Sequence, residues 1–192
     1  MSATISRPPL SDRLTTSKVI AVLRASHVSA LAPVCDVLAE EGILSLELTL
    51  TTPGLLDALA DLVNRYADTA DIGGGTVLSE SAAQRAIESG ARFLVTPTMN
   101  LPVIKLAVER QIAVFPGGLT PTELADGWDA GATAVKIFPL RPSAPDTSST
   151  SAARSRSCRL CPPVGLISTP PVSGWTRAQS RSASAGYCWA TL

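Results

Sequence analysis

Residues 112–139 read IAVFPGGLTPTELADGWDAGATAVKIFP, and they contain one full repeat of the pattern that decides the fold. Ile112–Pro116 is a short apolar run bounded by Pro and Gly, which predicts a strand. Thr120-Pro121-Thr122-Glu123 supplies a capping hydroxyl, a proline at the first helical position and a glutamate three residues after the cap. That combination predicts a helix starting there and running to Ala130. Ala134–Pro139 then predicts a second strand. Strand, helix and strand joined by short loops form a βαβ unit, in which the strands run parallel and the helix makes the crossover.

The same alternation extends back towards the amino terminus. Strands are predicted at Ser17–Arg24, Ile43–Leu50, Asp71–Leu78 and Ala91–Pro97. Helices are predicted at Val28–Glu41, at Pro53–Tyr66 with the proline in the first turn, at Ser79–Ser89 and at Leu101–Arg110. Ser79 is placed to cap its helix and Gly90 to close it. Six units of about 20–25 residues each fit within 140 residues, a workable length for βα repeats. The class is α/β, with a parallel sheet and helices packed outside it. An eight-unit barrel and a doubly wound open sheet share this periodicity, which leaves both open.

Lys136 stands out within the apolar run Ala134-Val135-Lys136-Ile137-Phe138-Pro139. Burying an ammonium there is costly, so the neutral, nucleophilic amine should be populated, and such an amine can condense with a ketone to form a Schiff base. Glu47 is equally unexpected inside ILSLELTL (43–50). Two accounts of Glu47 and Lys136 stay open: one buried ion pair, or a general acid/base beside an amine nucleophile. Other polar residues fall at strand ends, where a βα barrel places its chemistry. These are Arg24, Thr49, Thr76 and Thr96-Pro97. Thr49 and Thr96 read first as turn or cap residues, and Arg24 as solvated. Gly73-Gly74-Gly75 lacks the lysine and hydroxyl of a phosphate loop and reads as room for close approach at a strand end. Cys158 and Cys161 have metal-ligand spacing without a second pair, so zinc is not expected. His27 reads as solvated, and Cys35 as a small hydrophobe on a helix.

Composition sets wider bounds. The chain has 192 residues, 45% of them hydrophobic, enough for one domain with a sizeable core. Zero net charge gives no argument for nucleic acid or an acidic membrane. It hides an asymmetry: residues 1–140 hold 10 basic and 15 acidic side chains, whereas residues 141–192 hold six arginines and one acid. Met1–Pro9 has no apolar core of a signal peptide, and no apolar run reaches membrane-spanning length, so a cytoplasmic location is expected.

Six stretches, in order and at matching spacing, carry a resemblance: VIAVLRA (19–25), LELTLTTP (46–53), IGGGTVL (72–78), FLVTPTMN (93–100), FPGGLTPTEL (115–124) and VKIFP (135–139). Residues 18–139 thereby resemble the class I 2-keto-3-deoxy-6-phosphogluconate and 4-hydroxy-2-oxoglutarate aldolases. The resemblance implies a (β/α)8 TIM barrel, no metal or other cofactor, a homotrimer and a small 2-keto acid substrate. It implies that Lys136 is the Schiff-base lysine and Glu47 the general acid/base, and that Arg24, Thr76, Pro97 and Phe138 line the substrate site. Many members carry arginine where this chain has Thr51.

From Leu140 the resemblance stops. Residues 141–192 contain 11 Ser, six Pro and six Arg without a period, a composition that reads as poorly ordered. The chain therefore divides into a partial barrel of about six βα units, 1–140, and a Ser/Pro/Arg-rich tail, 141–192. Read one base out of phase, the tail permits AVGPGY near 141–147 and a PTGG-bearing segment from Cys161 onward, which resembles the family's missing part. A frameshift near codons 139–141 accounts for this. An incomplete barrel of that kind would leave strands 1 and 6 as open edges, and a non-catalytic remnant is the alternative to an aldolase.

Overall fold

A computed structural model of the chain describes residues 6–139, together with two strands at 160–161 and 183–189. Helix α1 (Asp12–Ser17) precedes strand β1 (Val19–Ala25). A 3-10 turn at Val28–Ala30 leads into α2 (Leu31–Glu40). Then follow β2 (Ser45–Thr49), α3 (Leu55–Arg65), β3 (Asp71–Gly75), α4 (Glu80–Glu88), β4 (Phe93–Thr96), α5 (Leu101–Glu109), β5 (Ala113–Gly118), α6 (Pro121–Asp129) and β6 (Val135–Ile137). Short strands β7 (Leu160–Cys161) and β8 (Ala183–Trp189) complete the sheet.

Helix starts follow the sequence signals. Ser79 and Asn100 accept from the N–H groups of Ala82 and Val103, and Thr120 and Glu123 form the reciprocal capping box. At α3 the start differs from expectation: Gly54, in a left-handed conformation at φ 77°, is the cap, so Pro53 lies before the helix. Helix α1 had not been anticipated. Its signals are local, a Ser11 side chain accepting from the Leu14 N–H at 3.1 Å and the single buried Leu14.

Strands β1 to β6 lie side by side in chain order and pair parallel throughout. Every crossover therefore steps the same way, which is barrel winding; a doubly wound sheet would reverse direction at a switch point. The edges expected to be open are occupied. β7 pairs parallel with β6, and β8 pairs antiparallel with β1 over its full length, from Val19–Trp189 to Ala25–Ala183. Antiparallel pairing needs no crossover helix, so it can cover an edge that a seventh and eighth βα unit would otherwise fill.

Two cores result from the alternation of side chains across the strands. Leu23, Leu46, Leu48, Ile72, Leu94, Val114, Val135 and Ile137 face the helices and pack against Leu31, Leu38, Leu55, Leu59 and Ile104. On the inner face Ile20, Phe93, Val95, Ala113, Phe115 and Ala134 gather around Leu14 of α1. Most of these lie at the starts of their strands, so α1 plugs the amino end of the curved sheet. Arg13 on α1 fastens that plug, donating to Asp71 at 2.9 Å and to the Asp68 carbonyl at 2.6 Å. The segment before α1 forms a strap. Arg7 stacks 3.7 Å over the Trp128 ring and donates to the Trp128 and Ala132 carbonyls. The Thr133 hydroxyl donates to the Pro8 carbonyl at 3.0 Å. With its amino end closed, the inner face opens at the carboxyl ends of the strands.

Candidate active site

All five residues of β2 are buried, and alternation divides them. Leu46 and Leu48 face the helices; Ser45, Glu47 and Thr49 face inward. Glu47 is thus fixed on the inner face with 4% of its surface exposed. Burial pushes its carboxyl up to about 7 from an ordinary 4.5, and the positive charge of Lys136 acts in the opposite direction. No hydrogen bond or ion pair within 4.0 Å holds Glu47 among the described residues. The contact ion pair considered for Glu47 and Lys136 is therefore not formed; the two interact across a gap.

Lys136 is the middle residue of β6, flanked by buried Val135 and Ile137. It is half-buried, where its apolar setting had implied full burial. The reason is position. It lies on the inner face two residues past Ala134, near the open carboxyl end, paired with Gly117 of β5. Its ammonium nitrogen stands 4.9 Å from the centroid of the Phe138 ring, a cation–π distance. Phe138 shares the inner face with Lys136 and is 39% exposed. Lys136, Phe138 and Glu47 thus share the inner face of the sheet.

The other expected residues stand on the rim. Arg24 is exposed at the end of β1, on the same inner face as Val22, which pairs with Glu47. Thr76 follows β3 with φ 56°, a left-handed conformation that a β-branched residue adopts at a cost of ~1–2 kcal/mol. Pro97 follows β4 and lies over Gly117; a Cβ there would come 2.5 Å from the Pro97 carbonyl oxygen. Arg24 and Thr76 make no side-chain polar contact among the described residues. Thr96 is the turn residue it was read as, its hydroxyl donating to the Thr98 carbonyl at 2.5 Å. Thr49 is buried on the inner face, and the exposed Thr51 hydroxyl donates to it at 3.5 Å. Thr52, not singled out from sequence, ties the end of β1 to the next loop by accepting from the Ala25 N–H. His27 is exposed. Cys35 is a free, fully buried thiol pushed up to about 12 by burial, which leaves it inert. Among the described residues no group of three or more His, Cys, Asp or Glu could hold a metal ion, and no helix is long and apolar enough to cross a membrane.

Six parallel strands in barrel winding, with Lys136 and the raised Glu47 carboxyl on their inner face, match the architecture of the βα-barrel class. Residues 10–189 match the aldolase family described as KDPG and KHG aldolase. The chain belongs to that family. It is 33% identical over 126 residues to the KHG/KDPG aldolase of Escherichia coli (strain K12), an alignment covering 66% of this chain and 59% of that protein. The chain thus spans about three-fifths of the length of the curated relatives it matches. Among solved structures, a native KDPGal structure superposes with a TM-score of 0.72 at 28% identity, covering 83% of this chain and 78% of the other. The KDPG aldolase of Legionella pneumophila, with pyruvate captured at low pH as a covalent carbinolamine intermediate, superposes with a TM-score of 0.69 at 27% identity, covering 77% and 71%.

Proposed function

We propose that this chain carries the Schiff-base chemistry of its family: cleavage of 2-keto-3-deoxy-6-phosphogluconate to pyruvate and glyceraldehyde 3-phosphate, or of 4-hydroxy-2-oxoglutarate to pyruvate and glyoxylate. The observation that carries this reading is the separation of Glu47 from Lys136. A carboxyl that is buried, raised to about 7 and free of a contact ion pair can both give and take a proton near neutrality. In the proposed sequence the Lys136 amine adds to the C2 ketone, and loss of water gives an iminium. The iminium accepts the electron pair of the C3–C4 bond as the aldehyde leaves, giving the enamine of pyruvate. Glu47 moves the protons, Phe138 and Pro97 wall the pocket, and Arg24 and Thr76 meet the polar end of the substrate. The reading needs no metal or other cofactor and places the protein in the cytoplasm.

The test uses pyruvate alone. Exchange of its methyl hydrogens for deuterium, followed by proton NMR, reports iminium–enamine interconversion. Borohydride should then fix pyruvate to Lys136 and not to exposed Lys18 or Lys105. An adduct mapped to either of those two, or no exchange at all, would sink the reading.

One observation favours a second reading, a non-catalytic remnant. β8 covers β1 antiparallel, whereas a closed (β/α)8 barrel is parallel throughout. Residues 141–192 as written contain no GPGY or PTGG segment, and so lack the glycine-rich turns that the family resemblance implies for phosphate binding. Restoring the shifted frame from codon 140 should raise kcat/KM and the melting temperature together. Equal values for the two chains, or DNA in which no single-base change there opens a PTGG-bearing frame, would remove the frameshift account.

A homotrimer, which the family resemblance implies, would draw on an apolar arc. Leu78 on the loop after β3, Leu101 at the start of α5 beyond the β4 loop, and Leu119 on the loop after β5 are 61%, 40% and 48% exposed. The Asn100 side chain donates to the Leu78 carbonyl at 3.1 Å and holds the first two loops together. A second copy of the chain would cover this arc.

A further inference from the structure

We infer that Gly75 is a positioning residue for Glu47: the hydrogen in place of a side chain there is what lets the carboxylate lie on the inner face towards Lys136. The inference rests on the proposed role of Glu47. Gly75 ends β3 and pairs with Thr49 of β2, so its inward side points across Glu47. A Cβ built at Gly75 would lie 1.8 Å from Glu47 Oε1 and 2.3 Å from its Cδ and Cγ. Atoms cannot share that space, so one of the two must move. The backbone of Gly75 is not in the left-handed region, hence an alanine fits β3 without strain. What yields is the flexible acid, swung out of its place.

The two neighbouring glycines show that this is particular to Gly75. At Gly74 the added Cβ points outward to Ala86 at 3.3 Å and Leu94 at 3.6 Å, a helix contact remote from the carboxylate. At Gly73 it runs into the Phe93 ring at 2.2 Å, a clash with the inner core. Three adjacent glycines thus serve three purposes: helix approach, ring packing and placement of the acid.

Gly75→Ala and Gly74→Ala in the full chain make the test. With carboxyl-labelled glutamate, carbon NMR follows Glu47 directly, assigned by its loss in Glu47→Gln. In Gly75→Ala the Glu47 midpoint should fall from about 7 towards the ordinary carboxylate range. Pyruvate methyl exchange should fall about 100-fold, the size of effect that an ångström-scale misplacement produces, and more through the exchange rate at saturation than through pyruvate affinity. Gly74→Ala should keep both signals. Should Gly75→Ala fail to fold, removing the clashing atoms in Gly75→Ala/Glu47→Ala must restore the melt. A Gly75→Ala protein with unchanged Glu47 titration and exchange overturns the inference. So does a misfolded one that Glu47→Ala leaves unrescued. If the wild-type chain exchanges no pyruvate, the aldolase reading fails, while the Glu47 titration and the melt still decide the role of Gly75.

Discussion

At the scale of single residues, Glu47 couples chemistry to stability. A carboxyl whose folded value is about 7 and whose ordinary value is 4.5 holds its proton more tightly in the folded chain. Folding therefore takes up a proton between those two values, and stability falls as pH rises through the window; above about 7 the full cost, roughly 3 kcal/mol, is present. Glu47→Gln has no charge to bury. Urea unfolding should find the variant gaining stability relative to wild type between pH 5 and pH 8, while pyruvate exchange falls ~10²–10⁴-fold. A variant that is less stable at pH 8 would point back to an ion pair. Glu47 and Lys136 were legible because a charge inside an apolar run is conspicuous. The exposure of Lys136 was not, since burial depends on how near the open end of the sheet a residue falls. Gly75 was legible only as a glycine at a strand end; its purpose needs the neighbouring strand in register.

At the scale of elements, apolar alternation and caps located six strands and five of the six helices. The missing helix is the shortest one. α1 is six residues long, less than two turns, so it shows no helical period and draws its stability from docking. Its Leu14 is 3% exposed among the inner-core side chains. Leu14→Ala should cost roughly 2–4 kcal/mol in urea unfolding, most of it the cavity left at the amino end. Thr120→Ala, which removes one half of the capping box while leaving the core intact, should cost ~1 kcal/mol. A reversed ranking would mean that α1 is an appendage and the plug plays no part in stability. β8 escaped the sequence for a different reason: its pairing with β1 spans the chain, and no local pattern encodes it.

At the scale of the whole molecule, the apolar arc at Leu78, Leu101 and Leu119 should control assembly. Leu119→Asp should shift sedimentation towards single chains without moving the far-ultraviolet circular dichroism; a wild-type chain already sedimenting as a monomer would leave the arc without a partner. The strap has a consequence of its own. Arg7 meets Trp128 across 121 residues and Ala132 across 125, whereas each βα unit closes on itself within a few tens. On the ribosome the units can condense one after another as they emerge, each closing a short loop. The contacts of Arg7 with Trp128 and Ala132 and of Pro8 with Thr133 cannot form until residue 133 has left the exit tunnel. The strap is therefore tied late, after five of the six parallel strands have emerged, and it closes only on a sheet that has already curved far enough to bring residues 7–8 beside residues 128–133. Measured with an arrest peptide, the pull on the nascent chain should show a late peak once Thr133 clears the tunnel. That peak should vanish in Arg7→Ala/Thr133→Val while the earlier ones remain.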